Sequence, residues 1–312
     1  MNTFGENFRF TDFGESHGAA VGGVIDGCPS GLSLDMAAVQ QALERRAGRT
    51  LPKEWQVAVS PRALAERNEV EWLSGVLDGV TLGSPIAFII RNQEARPADY
   101  EVLKSDFRPA HADAVYEAKY GIRDYRGGGR SSARETAARV VAGCIAKQIL
   151  EKKDITIHTQ IAQIGNAVTE DAITALLYKV SEEGDSVGGI IECVIQGLPA
   201  GIGEPVFDKL QARLAYAVMS VNGCKGFDYG SGFEGVGKRG SEMYYSSSEE
   251  LQAANGGILG GISDGNEIRF RCVFKPTATL TRVYGGRHDA CIALRAGEVV
   301  EAMTAMTVVD MI

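Results

Sequence analysis

Three of the four histidines in this sequence stand in short segments rich in glycine, arginine or acidic residues. His17 lies in GESHG, His111 in RPAHAD and His288 in GGRHDAC, whereas His158 lies in a segment of alternating apolar residues. Histidine changes charge near neutral pH, so a positioned imidazole can pass a proton to a leaving group. Any one of these histidines alone is better explained as a hydrogen-bonded structural side chain. Their shared setting favours acid–base chemistry, and His158 is predicted to be structural.

A basic segment spans residues 108–139. It holds seven Lys or Arg and four Asp or Glu residues, a balance of +3 in a chain whose net charge is −8. Three glycines at 127–129 allow the backbone to approach a ligand closely. The spacing of Ser132 and Glu135 predicts a capping box that opens a helix.

The free amides of that helix, together with Arg130 and Arg134, are predicted to bind an anion. The helix dipole and charge-assisted hydrogen bonds would act on the same ligand. No Lys-Ser or Lys-Thr pair follows the glycines at the spacing of a Walker motif, so a nucleoside triphosphate is not expected. The alternative is a capped surface helix with solvated arginines.

Two further glycine motifs lack the context that their usual chemistry requires. Residues 14–18 fit the G-x-S-x-G pattern of serine hydrolases, but they precede an apparent strand. Residues 230–235 fit G-x-G-x-x-G, but no apolar helix follows them. We predict neither a nucleophile elbow nor a dinucleotide site, and we interpret residues 230–235 as a turn.

The composition is that of a globular protein with a large core. The chain has 312 residues, of which 45% are hydrophobic and 23% charged. Its negative net charge argues against nucleic acid or an anionic membrane as a partner. It shows neither a secretion signal nor a run of about 18 apolar residues, which predicts a cytoplasmic protein. The six cysteines have no metal or disulfide spacing, so they are predicted to be reduced and mostly buried, with no metal site.

The chain resembles itself at two places in the same order. Residues 14–31 align without a gap on residues 184–201 with eight of eighteen identities, and residues 75–88 align on 257–270. This indicates a duplication, with halves of about 1–153 and 154–312 in one domain covering 1–312. Ligands are favoured at the seam between such halves. Only the first copy has a histidine, because Val187 stands where His17 does.

The predicted secondary structure mixes helices and strands. Alternating apolar and polar residues predict strands at 155–161 and 268–274. Apolar residues at helical spacing predict helices at 34–46, at about 205–219 with Pro205 in the first turn, at 168–183 before Gly184, and at 298–312.

Several long segments together resemble one family. FGESHG at 13–18, YGIRDYRGGGRSSARET at 120–136 and GRHDAC at 286–291 are similar to the three signature regions of chorismate synthase. RPAHAD at 108–113, GEPVFDKL at 203–210, GGILGGISDG at 256–265 and KPTAT at 275–279 extend the resemblance over nearly the whole chain.

This resemblance implies both a fold and an activity. The fold is α+β, a sandwich with helices between two antiparallel four-stranded sheets and an internal pseudo-twofold duplication. The activity is a lyase reaction that needs reduced FMN and converts 5-enolpyruvylshikimate 3-phosphate into chorismate and phosphate without net redox change. The resemblance also implies a cytoplasmic homotetramer that serves aromatic amino acid biosynthesis.

The resemblance further implies roles for individual residues. His17 corresponds to the acid that protonates the leaving phosphate, His111 to the group that stabilises the anionic reduced flavin, and Asp289 to the base that relays a proton from flavin N5. The implied substrate contacts are Ser16, Arg46 and Arg134. The implied cofactor contacts are Arg130, Ser131, Ser132, Asn222, Gly223, Gly260, Lys275, Pro276, Thr277, Ala278, Thr279 and Arg287.

The sequence also departs from the family pattern. Only LTRVYG separates Thr279 from Gly286, where relatives usually carry a loop about twenty residues longer. One alternative is therefore a family member that binds flavin or anions with weak or no catalysis. Another is a phospho-lyase that needs no flavin. No extra domain reduces the flavin, so NADPH acting through a separate flavin reductase is the expected electron source.

Overall fold

The computed structural model of the chain describes residues 1–93, 97–244, 247–284 and 288–312. Its strands are β1 (Thr3–Phe4), β2 (Arg9–Gly14), β3 (Ala20–Asp26), β4 (Val70–Ser74), β5 (Val76–Leu77), β6 (Val80–Thr81), β7 (Ile86–Arg91), β8 (Thr156–Ile164), β9 (Gly189–Gln196), β10 (Cys224–Tyr229), β11 (Ile258–Leu259), β12 (Ile262–Ser263) and β13 (Ile268–Phe274).

The helices lie between groups of these strands along the chain. They are α1 (Met36–Ala47), α2 (Lys53–Gln56), α3 (Pro61–Ala65), α4 (Asp113–Tyr120), α5 (Thr136–Glu151), α6 (Glu170–Glu182), α7 (Leu210–Met219), α8 (Gly240–Tyr244), α9 (Ser248–Asn255), α10 (Thr281–Tyr284) and α11 (Ala293–Met311). Short 3₁₀ helices lie at Pro97–Lys104, Gly129–Ser131, Ala133–Glu135 and Gly232–Gly237.

Two antiparallel sheets carry the duplication. The first has the order β1-β2-β3-β7-β4 and the second the order β10-β13-β9-β8, while β5-β6 and β11-β12 form separate hairpins. The self-aligned segments supply β3 and β9, then β5 to β7 and β11 to β13. Since β2-β3-β7-β4 and β8-β9-β13-β10 have the same order, the two halves fold alike. The predicted α+β fold with repeated halves is confirmed, except that β1 makes the first sheet five-stranded where four strands were expected. Its assignment to one domain stays a prediction.

Helices fill the space between the two sheets. Helix α5 packs on β3 of the first sheet, α11 packs on β8 and β9 of the second, and the two helices contact each other. They approach closely at Gly143, where a Cβ would lie 2.3 Å from the Cα of Ala302. The interior is therefore a layered sandwich whose central helices belong to different halves.

The strand predicted at 268–274 is present as β13 and has one buried face. Ile268, Phe270, Cys272 and Phe274 point into the core from β13, as their alternation predicts. All six cysteines are free and buried, and burial was predicted for most of them. His158 lies exposed on β8, consistent with a structural role.

Among the described residues, no helix combines the length and apolar character needed to cross a membrane.

Two local predictions are wrong. The helix expected from Pro205 begins only at Leu210, because residues 205–208 form a bent segment in which Asp208 has φ of +40° and Phe207 is 85% exposed. The last helix instead begins earlier than predicted, at Ala293.

The predicted capping box at Ser132 is also wrong. Ser132 Oγ accepts a hydrogen bond from the Arg134 amide at 3.3 Å, while the Glu135 carboxylate accepts from Arg139 Nε at 2.9 Å and does not return to the cap. The residues after Ser132 form a 3₁₀ turn, and α5 starts at Thr136. Glu135 is thus committed to a buried charge cluster.

Candidate active site

A cavity of about 380 Å³ opens between the two halves of the chain. Its volume lies within the range of small-molecule sites. The first half contributes α1, the segment after it and the glycine-rich segment, and the second half contributes the turn after α7, the segment after β13 and the start of α11. The predicted site residues that line it are Arg46, His111, Ser131, Ser132, Arg134, Asn222, Gly223, Lys275, Pro276, Thr277, Ala278, Thr279 and Asp289.

Cationic side chains dominate the lining. They are Arg46, Arg62, Arg108, Arg134, Lys275 and Arg295, against the carboxylates of Glu66 and Asp289. Charges interact more strongly in a partly enclosed cavity than in bulk water, so this lining favours a ligand with several negative charges. Within the described part of the chain, no group of three or more His, Cys, Asp or Glu side chains is arranged to hold a metal ion.

Arg46 is a buried cation with an unused donor. It lies in the last turn of α1, which Gly48 ends in the left-handed conformation, and is only 1% exposed. Its Nε donates to Thr136 Oγ1 at 2.9 Å and one terminal nitrogen donates to the Ala133 carbonyl at 2.5 Å. Its Nη1 has no hydrogen-bond partner among the described residues. Burial and the nearby cations lower the pKa of Arg46 to about 9, so an anion beside Nη1 would be strongly favoured.

A shared carboxylate holds two more arginines side by side. Glu66 accepts from Arg62 Nε at 2.9 Å and from Arg134 at 2.8 Å. Burial alone would raise the pKa of Glu66, but Arg134 and Arg62 hold it below its usual value. The ionised Glu66 therefore orients both guanidinium groups, and Asn92 Oδ1 accepts from Arg134 Nε at 2.8 Å.

The glycine-rich segment touches both predicted catalytic histidines. Gly127 and Gly128 have φ of +63° and +88°. A Cβ on Gly127 would lie 2.3 Å from the His17 ring, and one on Gly128 would lie 3.0 Å from Cε1 of His111. Side chains at these positions are excluded by the histidines as well as by the backbone conformation.

We expect Gly127→Ala to lower kcat by about 10²-fold, because the new methyl group must displace His17. Gly121→Ala is the matched control, since Gly121 also has a left-handed φ of +73° but no neighbour within 4 Å of its virtual Cβ. Both variants should lose about 1–2 kcal/mol of stability from backbone strain. Equal kcat values in steady-state assays of the two variants would contradict the proposed contact.

His17 is enclosed just behind the cavity wall. It is 5% exposed, with Nδ1 3.0 Å from Ser16 Oγ and Nε2 3.4 Å from an Arg62 nitrogen. The Tyr100 ring packs edge-on at 4.7 Å. Burial, and next Arg62, lower the pKa of His17 to about 4. The ring is thus neutral at neutral pH, and an adjacent anion is needed to protonate it.

His111 is oriented by a buried acid. Its Nδ1 lies 2.8 Å from Asp113 Oδ1, and Arg108 binds the same carboxylate at 2.8 Å. Burial alone would raise the pKa of Asp113, but the hydrogen bonds from His111 and Arg108 hold it well below its usual range. Because Nδ1 is turned to Asp113, Nε2 is the ring nitrogen left to meet a ligand.

Asp289 is held from two directions. Its Oδ1 accepts from the Ser60 amide at 2.9 Å, and both carboxylate oxygens lie 3.1 Å from Arg295 Nη1. The Ala58 carbonyl accepts from the Ala290 amide at 2.9 Å and fixes the same turn. The carboxylate therefore has one orientation at the cavity wall.

The remaining predicted residues lie at different places. Ser16 is beside His17. Arg130 is not among the cavity's lining residues and binds Asp12 instead. Gly260 lies in the turn between β11 and β12, also apart from the lining. Arg287 lies outside the described residues.

Several lining residues were missed by sequence reasoning. Ser60, Arg62 and Glu66 belong to a segment that matches the family motifs poorly, although Arg62 and Glu66 have the i, i+4 spacing of a helical ion pair. Arg295 is the one basic residue of α11 and is buried there. A buried arginine needs a partner, and that was the available signal.

Comparisons with known proteins agree with these motifs. The family model described as chorismate synthase matches residues 8–312. The chorismate synthase of Azobacteroides pseudotrichonymphae genomovar. CFP2 is 44% identical, with 99% of this chain and 98% of that protein covered. That of Bacteroides thetaiotaomicron is also 44% identical, with 99% and 97% covered.

One solved structure has the same overall fold. It is described as "Crystal Structure of Chorismate Synthase", has a TM-score of 0.77 and 27% identity, and the match covers 99% of this chain and 92% of that one. The alignment to the Azobacteroides protein runs over 355 positions against the 312 residues of this chain, so at least 43 positions have no counterpart here.

Proposed function

Because this chain belongs to the chorismate synthase family, we propose that it removes phosphate from 5-enolpyruvylshikimate 3-phosphate by 1,4-anti elimination and releases chorismate. This makes it a carbon–oxygen lyase. The observation that carries the proposal is the buried Arg46, which has an unpartnered Nη1 among the described residues and lines the cavity with five other cations. Without an anionic ligand, the buried charge of Arg46 has an uncompensated desolvation cost.

The charge of the proposed substrate matches this wall. Two carboxylates and a phosphate carry about four negative charges near neutral pH. Arg46 and Arg134 stand on one side of the cavity, and Lys275 stands on the segment from the second half. A substrate placed between them would be held by both halves, and its developing negative charge would be stabilised by groups already in position.

Reduced FMN fits a second set of residues in the cavity lining. Asn222 Oδ1 and Thr277 Oγ1 are buried and have no hydrogen-bond partner among the described residues, although both residues line the cavity. Asn222 Nδ2 donates to the Ser131 carbonyl at 3.1 Å, which leaves Oδ1 to accept from a ligand N–H or O–H. Reduced FMN, when bound, supplies transient electron density to the elimination without net redox change.

We assign the cofactor contacts to the segments that present these atoms. They are Ser131, Ser132, Asn222 and Gly223, with Lys275, Pro276, Thr277, Ala278 and Thr279. His111 lines the same cavity, and the Asp113 carboxylate orients its ring. We propose that it offsets negative charge on the cofactor.

Two residues are proposed to move protons. His17 gives a proton to the departing phosphate, and the anionic phosphate itself raises the affinity of the imidazole for that proton. Asp289 accepts a proton from the cofactor side, with its carboxylate aimed by the Ser60 amide and Arg295. Arg62 connects His17 with the proposed substrate contact Arg134, because it contacts His17 and binds Glu66 together with Arg134.

Family membership also supports a cytoplasmic homotetramer. We propose that electrons reach the flavin from NADPH through a separate flavin reductase.

A second candidate is a family member that binds flavin or anions without efficient turnover. The observation that favours it is the missing length, since Thr279 is followed closely by the four-residue helix α10. A long loop is a common way to exclude water from a site, and its loss would slow chemistry more than binding.

One anaerobic experiment separates these functions. The purified chain is mixed with FMN, dithionite and substrate, and chorismate absorbance and phosphate release are followed together. We expect both products in equal amounts, and His17→Ala serves as the control with strongly reduced turnover. A flavin spectral change without phosphate release would identify the binding protein, and turnover without FMN would identify a flavin-independent lyase.

A further inference from the structure

Arg130 points away from the cavity and into the strand that leads to His17. One of its terminal nitrogens donates to Asp12 Oδ1 at 2.9 Å and to the Gly14 carbonyl at 3.1 Å, and the other lies 3.5 Å from the Asp12 carbonyl. Asp12 and Gly14 are the fourth and last residues of β2, directly before the turn that carries His17. The guanidinium therefore clamps the end of this strand.

The acid in this clamp is buried. Asp12 is 7% exposed, and Glu135 lies next to it with its carboxylate bound to Arg139 Nε at 2.9 Å. Burial, with Asp12 as the neighbouring acid, raises the pKa of Glu135 to about 8. Asp12 is the acid of this pair that binds Arg130. Arg139 stands 3.8 Å from Asp12 Oδ2 on the far side.

The clamp joins two turns that meet at His17. The Ser16 amide donates to the Gly129 carbonyl at 3.4 Å, and Ser16 Oγ donates to the Arg126 carbonyl at 3.3 Å. Gly127 lies against the His17 ring. Because Arg130 is part of the glycine-rich turn and holds β2, it sets the distance between the two turns.

We propose that Arg130 is a positioning residue for His17, acting through Asp12 and the Gly14 carbonyl, and that its side chain does not contact the cofactor. This inference rests on the proposed role of His17 and deepens it. It differs from the cofactor contact that the family resemblance implies for Arg130. Ser131 and Ser132, which follow Arg130 in the same turn, remain at the cavity wall.

The test compares Arg130→Met, Arg130→Lys and Asp12→Asn. A positioning role predicts that Arg130→Met lowers kcat by about 10²-fold, because a displacement of about 1 Å is enough to cost this much. Affinity for oxidised FMN, measured by fluorescence titration, should change by less than about threefold. Arg130→Lys should recover part of kcat, since an ammonium can replace the terminal nitrogen that binds Asp12 Oδ1 and the Gly14 carbonyl, but not the second one, which lies 3.5 Å from the Asp12 carbonyl. Asp12→Asn should reproduce a smaller loss.

Arg9→Met is the matched control. Arg9 lies on the same strand β2, in an exposed ion pair with Asp26, so its loss should leave kcat and FMN affinity unchanged. Weakening of FMN binding by tenfold or more in Arg130→Met, with normal kcat at saturating FMN, would identify a cofactor contact and overturn the proposal.

A readout that does not need turnover separates this inference from the proposed function. The ring proton resonances of His17 should shift in Arg130→Met and return partly in Arg130→Lys, and those of exposed His158 should not move. If the wild-type chain makes no chorismate, the proposed function fails while this NMR comparison still decides the positioning role. Unchanged His17 resonances in a folded Arg130→Met variant would refute it.

Discussion

Replacing His17 by alanine is expected to lower kcat by about 10²–10⁴-fold, the usual contribution of a positioned general acid. The substrate KM and the fold should change little, because Arg46, Arg134 and the rest of the cavity wall remain. The space that the missing imidazole leaves behind the wall is small, and Tyr100 and Ser16 can relax into it. Steady-state kinetics with saturating reduced FMN would measure the effect, with His158→Ala as the exposed control.

The pKa of His17 gives this prediction a second test. In the free protein it is lowered from 6.5 to about 4, first by burial and next by Arg62. Binding of the anionic substrate should raise it, which NMR titration with oxidised FMN can follow without turnover. Wild-type kcat in His17→Ala, or an imidazole whose titration ignores the substrate, would remove His17 from the mechanism.

The lowered pKa of His17 also makes the stability of the folded chain depend on pH in a definite direction. Below pH 6.5 the unfolded chain binds a proton at His17 that the folded chain does not bind until about pH 4. His17 therefore lowers the unfolding free energy as pH falls through this window. In His17→Ala this part of the pH dependence should disappear, as urea unfolding at several pH values would reveal.

Replacing Arg46 by methionine is expected to weaken substrate binding by about 10²–10³-fold, the cost of removing a buried charged partner. The fold should tolerate it. Methionine keeps most of the volume, and the change removes a cation whose pKa burial and two neighbouring arginines already lower. The Ala133 carbonyl still accepts from Thr136 Oγ1 at 2.6 Å, so it is not left unpaired. Equal or greater stability with poor binding is the expected combination.

Arg45→Met should behave in the opposite way. Arg45 precedes Arg46 in α1 but binds the Glu298 carboxylate at 2.6 and 3.1 Å, away from the cavity lining. Its loss leaves a buried acid without its partner, so stability should fall while substrate binding is retained. Calorimetric titration and thermal unfolding of both variants would measure this contrast. Normal substrate affinity in Arg46→Met would show that its free Nη1 does not face the bound anion.

Local patterns in the sequence were sufficient for much of the fold. The alternation at 268–274 predicted β13, because side chains of a strand point alternately to the core and to solvent. The ungapped self-alignments predicted matching strands, because equal local sequences at equal offsets form equal elements. The same reasoning failed at Phe207, which has helical spacing but points into solvent. The spacing of apolar residues indicates which of them could share one face of a helix. It does not show whether another part of the protein covers that face.

Only part of the chemistry of the cavity could be predicted from local patterns in the sequence. Motifs identified the residue types, such as His17 and Asp289, that could take part. Whether a guanidinium faces a ligand depends on which carboxylate it meets after folding, and neither the pairing of Arg130 with Asp12 nor that of Arg134 with Glu66 has a local signature. The Ser60 amide reaches Asp289 across 229 residues of chain.

The sequence by itself therefore determined the repeated halves, the identity of most strands and helices and the set of reactive side chains. The tertiary structure alone decided which arginines are free to hold an anion, which are committed to orienting their neighbours, and that His17 is neutral before substrate arrives. The physical reason is the distance along the chain over which each kind of interaction acts. Periodicity and turn preferences act between residues close in the chain, whereas burial and charge pairing act between residues brought together only by the packed sheets and helices.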